Sequence, residues 1–147
     1  MAQNTSAKFA SLDQAYQKTL YEVFASEAPL QLRVNSRNTA LDRLLQQYQV
    51  TTWALITAHN PYSQQLGLHQ NYQRHQALIT TLQAIGLPTL PAVGRDESGQ
   101  WPPEKSLFIL GISRPNAMDL GRQFAQNAIL YGALAQPIEL LWLVDTA

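Results

Sequence analysis

The sequence predicts a single α+β domain in which one mixed β-sheet carries helices packed on it. Three observations predict it. Short alternating or wholly apolar runs are interleaved with longer stretches whose apolar residues recur at helical spacing. Gly, Pro and Asn punctuate the boundaries between them. The chain has 147 residues, 46% of them hydrophobic and 14% charged, which suits one ordinary domain that fills its core without a metal or disulfide staple.

Residues 1–7 are polar and read as a flexible tail, leaving 8–147 as the globular domain. Ser11 with Gln14 resembles a capping box, and Phe9, Leu12, Tyr16 and Leu20 repeat at helical spacing. Alternation follows: Tyr21, Val23 and Ala25, a turn at Pro29, then Leu30, Leu32 and Val34, which reads as a hairpin with one wet face. Asn38 or Thr39 opens a second helix with Leu41, Leu44, Leu45 and Tyr48 on one stripe. Trp53 to Ile56 is apolar on both faces, as a central strand should be, and Asn60-Pro61 stops it. The clearest helix covers roughly 69–85, with Leu78, Leu82 and Ile85 as its stripe and Gly86-Leu87-Pro88 as its stop. Thr89 to Gly94 is a short strand whose Pro91 implies an edge or a bulge. After the loop to Pro103, Ser106 to Ile112 is a second central strand. Ser113 caps a fourth helix carrying Met118, Leu120 and Phe124, and 128–132 with 138–144 close the chain as a hairpin. The alternative arrangement is two small sheets.

Composition narrows the function classes. Ten Lys+Arg balance ten Asp+Glu, so the chain lacks the field on which nonspecific nucleic-acid binding depends, and nucleic acid is disfavoured as a partner. Low net charge leaves a homodimer open. With no cysteine, disulfides, zinc–thiolate sites, iron–sulfur clusters and thiol nucleophiles are excluded. The N-terminus has no apolar h-region, so the Asn4-Thr5-Ser6 sequon carries no weight, and no apolar run approaches a membrane span. A soluble, cytoplasmic protein without a membrane partner is expected. Phosphate-loop, dinucleotide, zincin and nucleophile-elbow motifs are all missing, so no cofactor is expected. His59, His69 and His75 could supply imidazoles, but His69 and His75 lie on different faces of their helix, and no metal site is assigned.

Topology suggests where the polar residues meet. If the 69–85 helix joins the Trp53 and Thr89 strands as a crossover, those strands run the same way, and the helix starts near His59 and Asn60. A hairpin return then brings Glu104 and Ser106 to that edge, and the fourth helix delivers Gln126 and Asn127. Thr57, His59, Asn60, Ser63, Asn71, Arg74, Glu104, Ser106, Gln126 and Asn127 thus converge. Asn71, Arg74 and His75 also prolong the apolar stripe of their helix, as residues of a cleft or buried network would. Arg74 and Glu104 are expected within about 8 Å of each other. The plainer readings are a turn at Asn60-Pro61, a structural Arg74–Glu104 ion pair, and a polar helix end at Gln126-Asn127. Trp101, beside Pro102-Pro103, reads as a loop anchor or a ligand cover.

The stretches 53–61 (WALITAHNP), 104–107 (EKSL) and 124–128 (FAQNA) resemble the bacterial family known as domain of unknown function 3293, over about Leu12 to Leu143. The family's Asn-Pro, its Asn and Arg on the next helix, its Glu and its Phe-x-Gln-Asn fall on Asn60-Pro61, Asn71 and Arg74, Glu104, and Phe124, Gln126 and Asn127. The sequence departs from the family at His59 (often Trp), Lys105 (often Pro) and Ala125 (often Gly). The resemblance implies no particular activity. Three function classes follow from the residues. A binding module for a polar or anionic metabolite or nucleotide would use Arg74 as charge partner and Asn60, Ser63, Asn71, Gln126, Asn127 and His59 as readers. A small hydrolase-type enzyme would use Glu104 as acid or base. An interaction domain would use an exposed apolar surface instead. In the binding reading, Arg74→Ala spares the fold and abolishes binding.

Overall fold

The order of elements is α1 (Ala2–Gln17), β1 (Thr19–Phe24), β2 (Pro29–Leu32), α2 (Thr39–Gln47), β3 (Thr52–Thr57), α3 (Leu68–Ile85), β4 (Thr89–Asp96), β5 (Glu104–Leu110), α4 (Arg114–Gln123), β6 (Ala128–Ala133) and β7 (Glu139–Trp142). A 3-10 turn, Pro61–Ser63, lies between β3 and α3. The computed structural model describes residues 2–145, and side chains from Ala7 onward. The succession of helices and strands is the one expected from periodicity, in one α+β domain.

All seven strands join one curled sheet in the order β2-β1-β4-β5-β3-β6-β7. β5 and β3 sit at its centre, where their doubly apolar sequences require them to be. The expectation of a mixed sheet is corrected in one respect. β3 and β4 do run the same way across the α3 crossover, but β5 turns back from β4 and inserts between them. Every neighbouring pair is therefore antiparallel. Pro91 resolves by local context: β4 is interior, but its pairing with β1 ends at Ala92, so the missing N–H of Pro91 breaks no ladder there.

Two apolar clusters flank the sheet. Leu41, Leu44 and Leu45 of α2 pack on Trp53, Leu55, Phe108 and Leu110 on one face, and Leu78, Leu82, Ala117 and Leu120 of α3 and α4 pack on Ala54, Ile56, Leu107 and Ile109 on the other. The Trp53 ring stacks on Phe108 with centroids 5.1 Å apart and lies over Gly132, its partner on β6. A Cβ at position 132 would sit 2.5 Å from the indole nitrogen, so only glycine fits. The caps expected from sequence are present: Asn38 accepts from Leu41 N, Ser113 accepts from Asn116 N, and Gly86 closes α3 at φ 82°.

α1 differs from its expectation. It begins at Ala2, so residues 2–7, read as a tail, form its first turns, and Ser11 lies mid-helix instead of at a cap. Met1 lies outside the described residues. α1 crosses the α2 face of the sheet, where Phe9 and Tyr16 pack on Trp142 with centroids 4.6 and 5.5 Å away. Among the described residues, no helix is long and apolar enough to cross a membrane.

Candidate functional site

β3 ends at Thr57 opposite Ser106 of β5, so the start of β5 and the end of β3 share one sheet edge. The chain leaves β3 through a strained turn. Asn60, Tyr62 and Ser63 have φ of 53°, 51° and 62°, and Ala125, in the loop after α4, has φ 56°. Left-handed conformations are costly for residues with a Cβ and persist where surrounding contacts enforce them. Here the two loops clasp each other: Tyr62 N donates to Ala125 O at 2.7 Å.

Side chains complete the clasp. Asn60 is buried, and all of its polar atoms are engaged. Its N–H donates to Asn71 Oδ1 at 3.0 Å, its Oδ1 accepts from Asn71 Nδ2 and Leu66 N, each at 2.9 Å, and its Nδ2 donates to Glu104 Oε2 at 2.6 Å. Arg74 donates Nε to Ala58 O and Nη2 to Phe124 O, both at 2.5 Å. Gln126 Nε2 lies between the carbonyl oxygens of His59 and Phe124, 3.1 Å from each, which fixes its amide orientation. Asn127 Nδ2 donates to Ser63 Oγ at 2.9 Å. These bonds satisfy backbone groups that would otherwise be stranded at the strand and helix ends.

On the α1 side of the same edge lies a cavity of about 100 Å³. Its apolar wall comes from Leu12, Ala15, Leu55, Ala128, Leu130 and Leu140; its polar wall comes from Tyr16, Thr19, Tyr21, Thr57, Asn60, Ser63, Asp96, Glu104, Ser106 and Gln126, with Trp101 and Pro102 at the rim. Burial pushes the Glu104 carboxyl above its ordinary range, and the Asn60 hydrogen bond pulls it part of the way back. Burial, then the nearby Glu104 charge, pushes Tyr16 up to about 12 against a hydrogen bond from Ser63. Tyr21 is raised by burial, then by Tyr16 and Glu104. Asp96 plays a local role: it accepts from Ser98, Gln100 N and Trp101 N, and so organises the loop that carries Trp101.

The residues grouped from sequence thus divide. Thr57, Asn60, Ser63, Glu104, Ser106 and Gln126 line the cavity. His59, Asn71, Arg74 and Asn127 do not: they hold the loops together behind it. Arg74 and Glu104 do not bond each other. Glu104 shares the sheet face of Phe108 and Leu110, whereas Arg74 sits on α3 against the opposite face, and the guanidinium bonds two carbonyls instead of a carboxylate. His59 and His75 meet edge to face, 6.0 Å apart, with His59 Nε2 and His75 Nδ1 buried and unbonded. Burial first, then His75, Lys105 and Arg74, depresses His59 to about 4; burial and then Lys105 lowers His75. Both rings are therefore neutral near pH 7. His69 is exposed, and among the described residues no group of three or more His, Asp or Glu could hold a metal ion. Tyr16, Thr19 and Tyr21 were missed as lining residues. Periodicity marks Tyr16 and Tyr21 correctly as inward-facing but gives Thr19 no assignment, and nothing in it separates a cavity from a packed core.

A family model described as "Protein of unknown function (DUF3293)" matches residues 56–129, half of the chain. The matched stretch runs from the end of β3 to the start of β6, narrower than the resemblance drawn from Leu12 to Leu143. It holds all the polar residues of the clasp and leaves out α1 and β1. No curated protein and no solved structure matches the chain.

Proposed function

Since the chain belongs to this family of unknown function, to which the match assigns no activity, we propose a role from the site itself: a binding module for a small polar molecule, seated between α1 and the sheet face that it crosses. One observation carries it. Glu104, Asn60, Ser63 and Gln126 border a cavity large enough for a ligand group, and the loops that present them are locked by bonds made behind it. Strained backbone enforced at such a position fits a preorganised site. The reading drops Arg74 as a ligand contact and keeps the polar edge.

The test is a ligand screen by thermal shift and amide NMR on the whole chain, repeated on Ala15→Phe, which fills the cavity from α1, and on Ala128→Leu, which fills it from β6. Ligands that stabilise the parent and lose affinity in either folded variant support the reading. Ligands indifferent to both variants, or no ligand from a broad library, would overturn it. A second reading is favoured by the raised Glu104 carboxyl: a small hydrolase-type enzyme with that residue as general acid or base. Turnover of a screened ligand that disappears in Glu104→Gln would select it.

A further inference from the structure

The cavity's hydrogen-bonding capacity is one-sided. Most donors beside it are already engaged: Asn60 Nδ2 with Glu104, Gln126 Nε2 with two carbonyls, the Thr57 hydroxyl with Lys105 O, the Thr19 hydroxyl with Ala15 O, and the Ser106 hydroxyl with Glu104 O, while the Tyr16 and Tyr21 hydroxyls face Ser63 and Thr19. The acceptors are not. Glu104 Oε1 and Gln126 Oε1 have no hydrogen-bond partner among the described residues. The charge is one-sided as well. Glu104 and Asp96 are the ionisable acids on the wall, and among the described residues no Lys, Arg or His lines it. Asp96 is already used by its own turn, which leaves Glu104 as the charge that faces the space. An anion placed there would meet a carboxylate, few free donors and no cation.

Resting on the ligand-pocket reading above, we infer that the ligand is a small primary amine. Its ammonium group is held by Glu104 and Gln126, and its short apolar body lies against Leu55, Leu130 and Leu140. An ammonium brings three donors and no acceptor, the complement of what the wall leaves unfilled. It is also the charge that a desolvated carboxylate lacks. Tyr16, Tyr21 and the rim residue Trp101 add aromatic faces, which attract organic cations. Size limits the body. A cavity of 150 Å³ accepts benzene, with six heavy atoms, so one of about 100 Å³ holds roughly four or five.

Three probes with the same branched four-carbon skeleton decide the class: isobutylamine, isobutanol and isobutyrate, titrated into the whole chain and followed by amide NMR and Trp fluorescence. The expected result is binding of the amine about tenfold tighter than the alcohol, as one charge-assisted contact would produce, with the acid weakest. Glu104→Gln is expected to collapse the preference of amine over alcohol. Alcohol or acid binding as tightly as the amine, and blocked by Ala15→Phe or Ala128→Leu, would overturn the amine class while leaving the pocket standing. So would silence from all three probes when other ligands from the screen are blocked by those variants. No blocked ligand of any kind would overturn the pocket and the amine together.

Discussion

The two sides of the β3–β5 sheet end use similar residues for different work. Behind the edge, against α3 and α4, Arg74 and Asn71 donate to carbonyl and amide oxygens, the Nε2 of the cavity-lining Gln126 reaches back to two more carbonyls, and the loops so joined are held in left-handed turns. In front, under α1, Glu104 keeps one oxygen free, and the tyrosines beside it face a cavity. The two sides meet at Asn60, which bonds Asn71 through Oδ1 and Glu104 through Nδ2. A polar cluster is therefore not one object. Its donors are mostly used by structure, and what remains for a ligand is the acceptor side.

The largest expected effect breaks the rear side. Arg74→Ala removes two charged hydrogen bonds to backbone carbonyls at the half-buried junction of β3 and α4. Each such bond contributes about 1.5–3 kcal/mol, and the two are not additive, so a loss of about 2–4 kcal/mol is expected in urea unfolding. Arg74→Lys should recover only part of it, because an ammonium on a flexible stem cannot reproduce the fork. This reverses what the sequence suggested for Arg74, that its removal would spare the fold and abolish binding. An Arg74→Ala protein of parental stability that no longer binds ligand would restore the earlier assignment and undo the division between the two sides.

The limits of sequence reading follow the same division. Hydrophobic period and punctuation located every helix and strand, because burial on one face or both leaves a pattern within a few residues. The convergence of Asn60, Glu104 and Gln126 was legible too, since it needs only the direction of β3, α3 and β5. What Arg74 would bond was not legible. That depends on which face of the sheet α3 covers, and the spacing of Asn71, Arg74 and Leu78 is the same whether the cluster's other members point toward that face or away. The cavity was hidden for a similar reason. Tyr16 and Tyr21 face inward as core residues do, and a void is a property of three-dimensional packing. The start of α1 was misplaced because Gln3, Asn4, Thr5 and Ser6 supply no apolar period to count.

A middle-sized effect probes the hinge between the sides. Asn71→Ala leaves the buried Asn60 N–H without its acceptor and frees Asn60 Oδ1 from one of two donors. A loss of about 1–3 kcal/mol is expected. Because the Asn60 amide also holds Glu104, ligand affinity should fall in the folded variant, although Asn71 does not line the cavity. Stability and affinity falling together distinguish this position from Arg74, where stability alone should fall. An Asn71→Ala protein with reduced stability and parental affinity would show that Glu104 is oriented without Asn60.

The smallest effect is a pH dependence in which the two sides oppose each other. His59, behind the edge, titrates near 6.5 in the unfolded chain and near 4 when folded. Its contribution to stability is present above 6.5 and is lost as the pH falls toward 4, because the unfolded state takes up the proton first. His75 acts in the same direction. Glu104, in front, is shifted upward from 4.5. Its contribution is fully present below 4.5 and is lost as the pH rises through the folded value, because the carboxylate then ionises inside the protein. Between pH 4 and 6.5 the slopes cancel in part. The His59 ring is only partly buried and is screened on its open side, so its share is discounted to about 1 kcal/mol. His59→Phe should weaken the fall in stability on acidification, and Glu104→Gln should steepen the net fall by removing the opposing slope. Urea midpoints at a series of pH values read both. A Glu104→Gln profile parallel to the parent's would mean that the carboxyl is solvated as in the unfolded chain, and the cavity would lose the desolvated charge on which its amine preference depends.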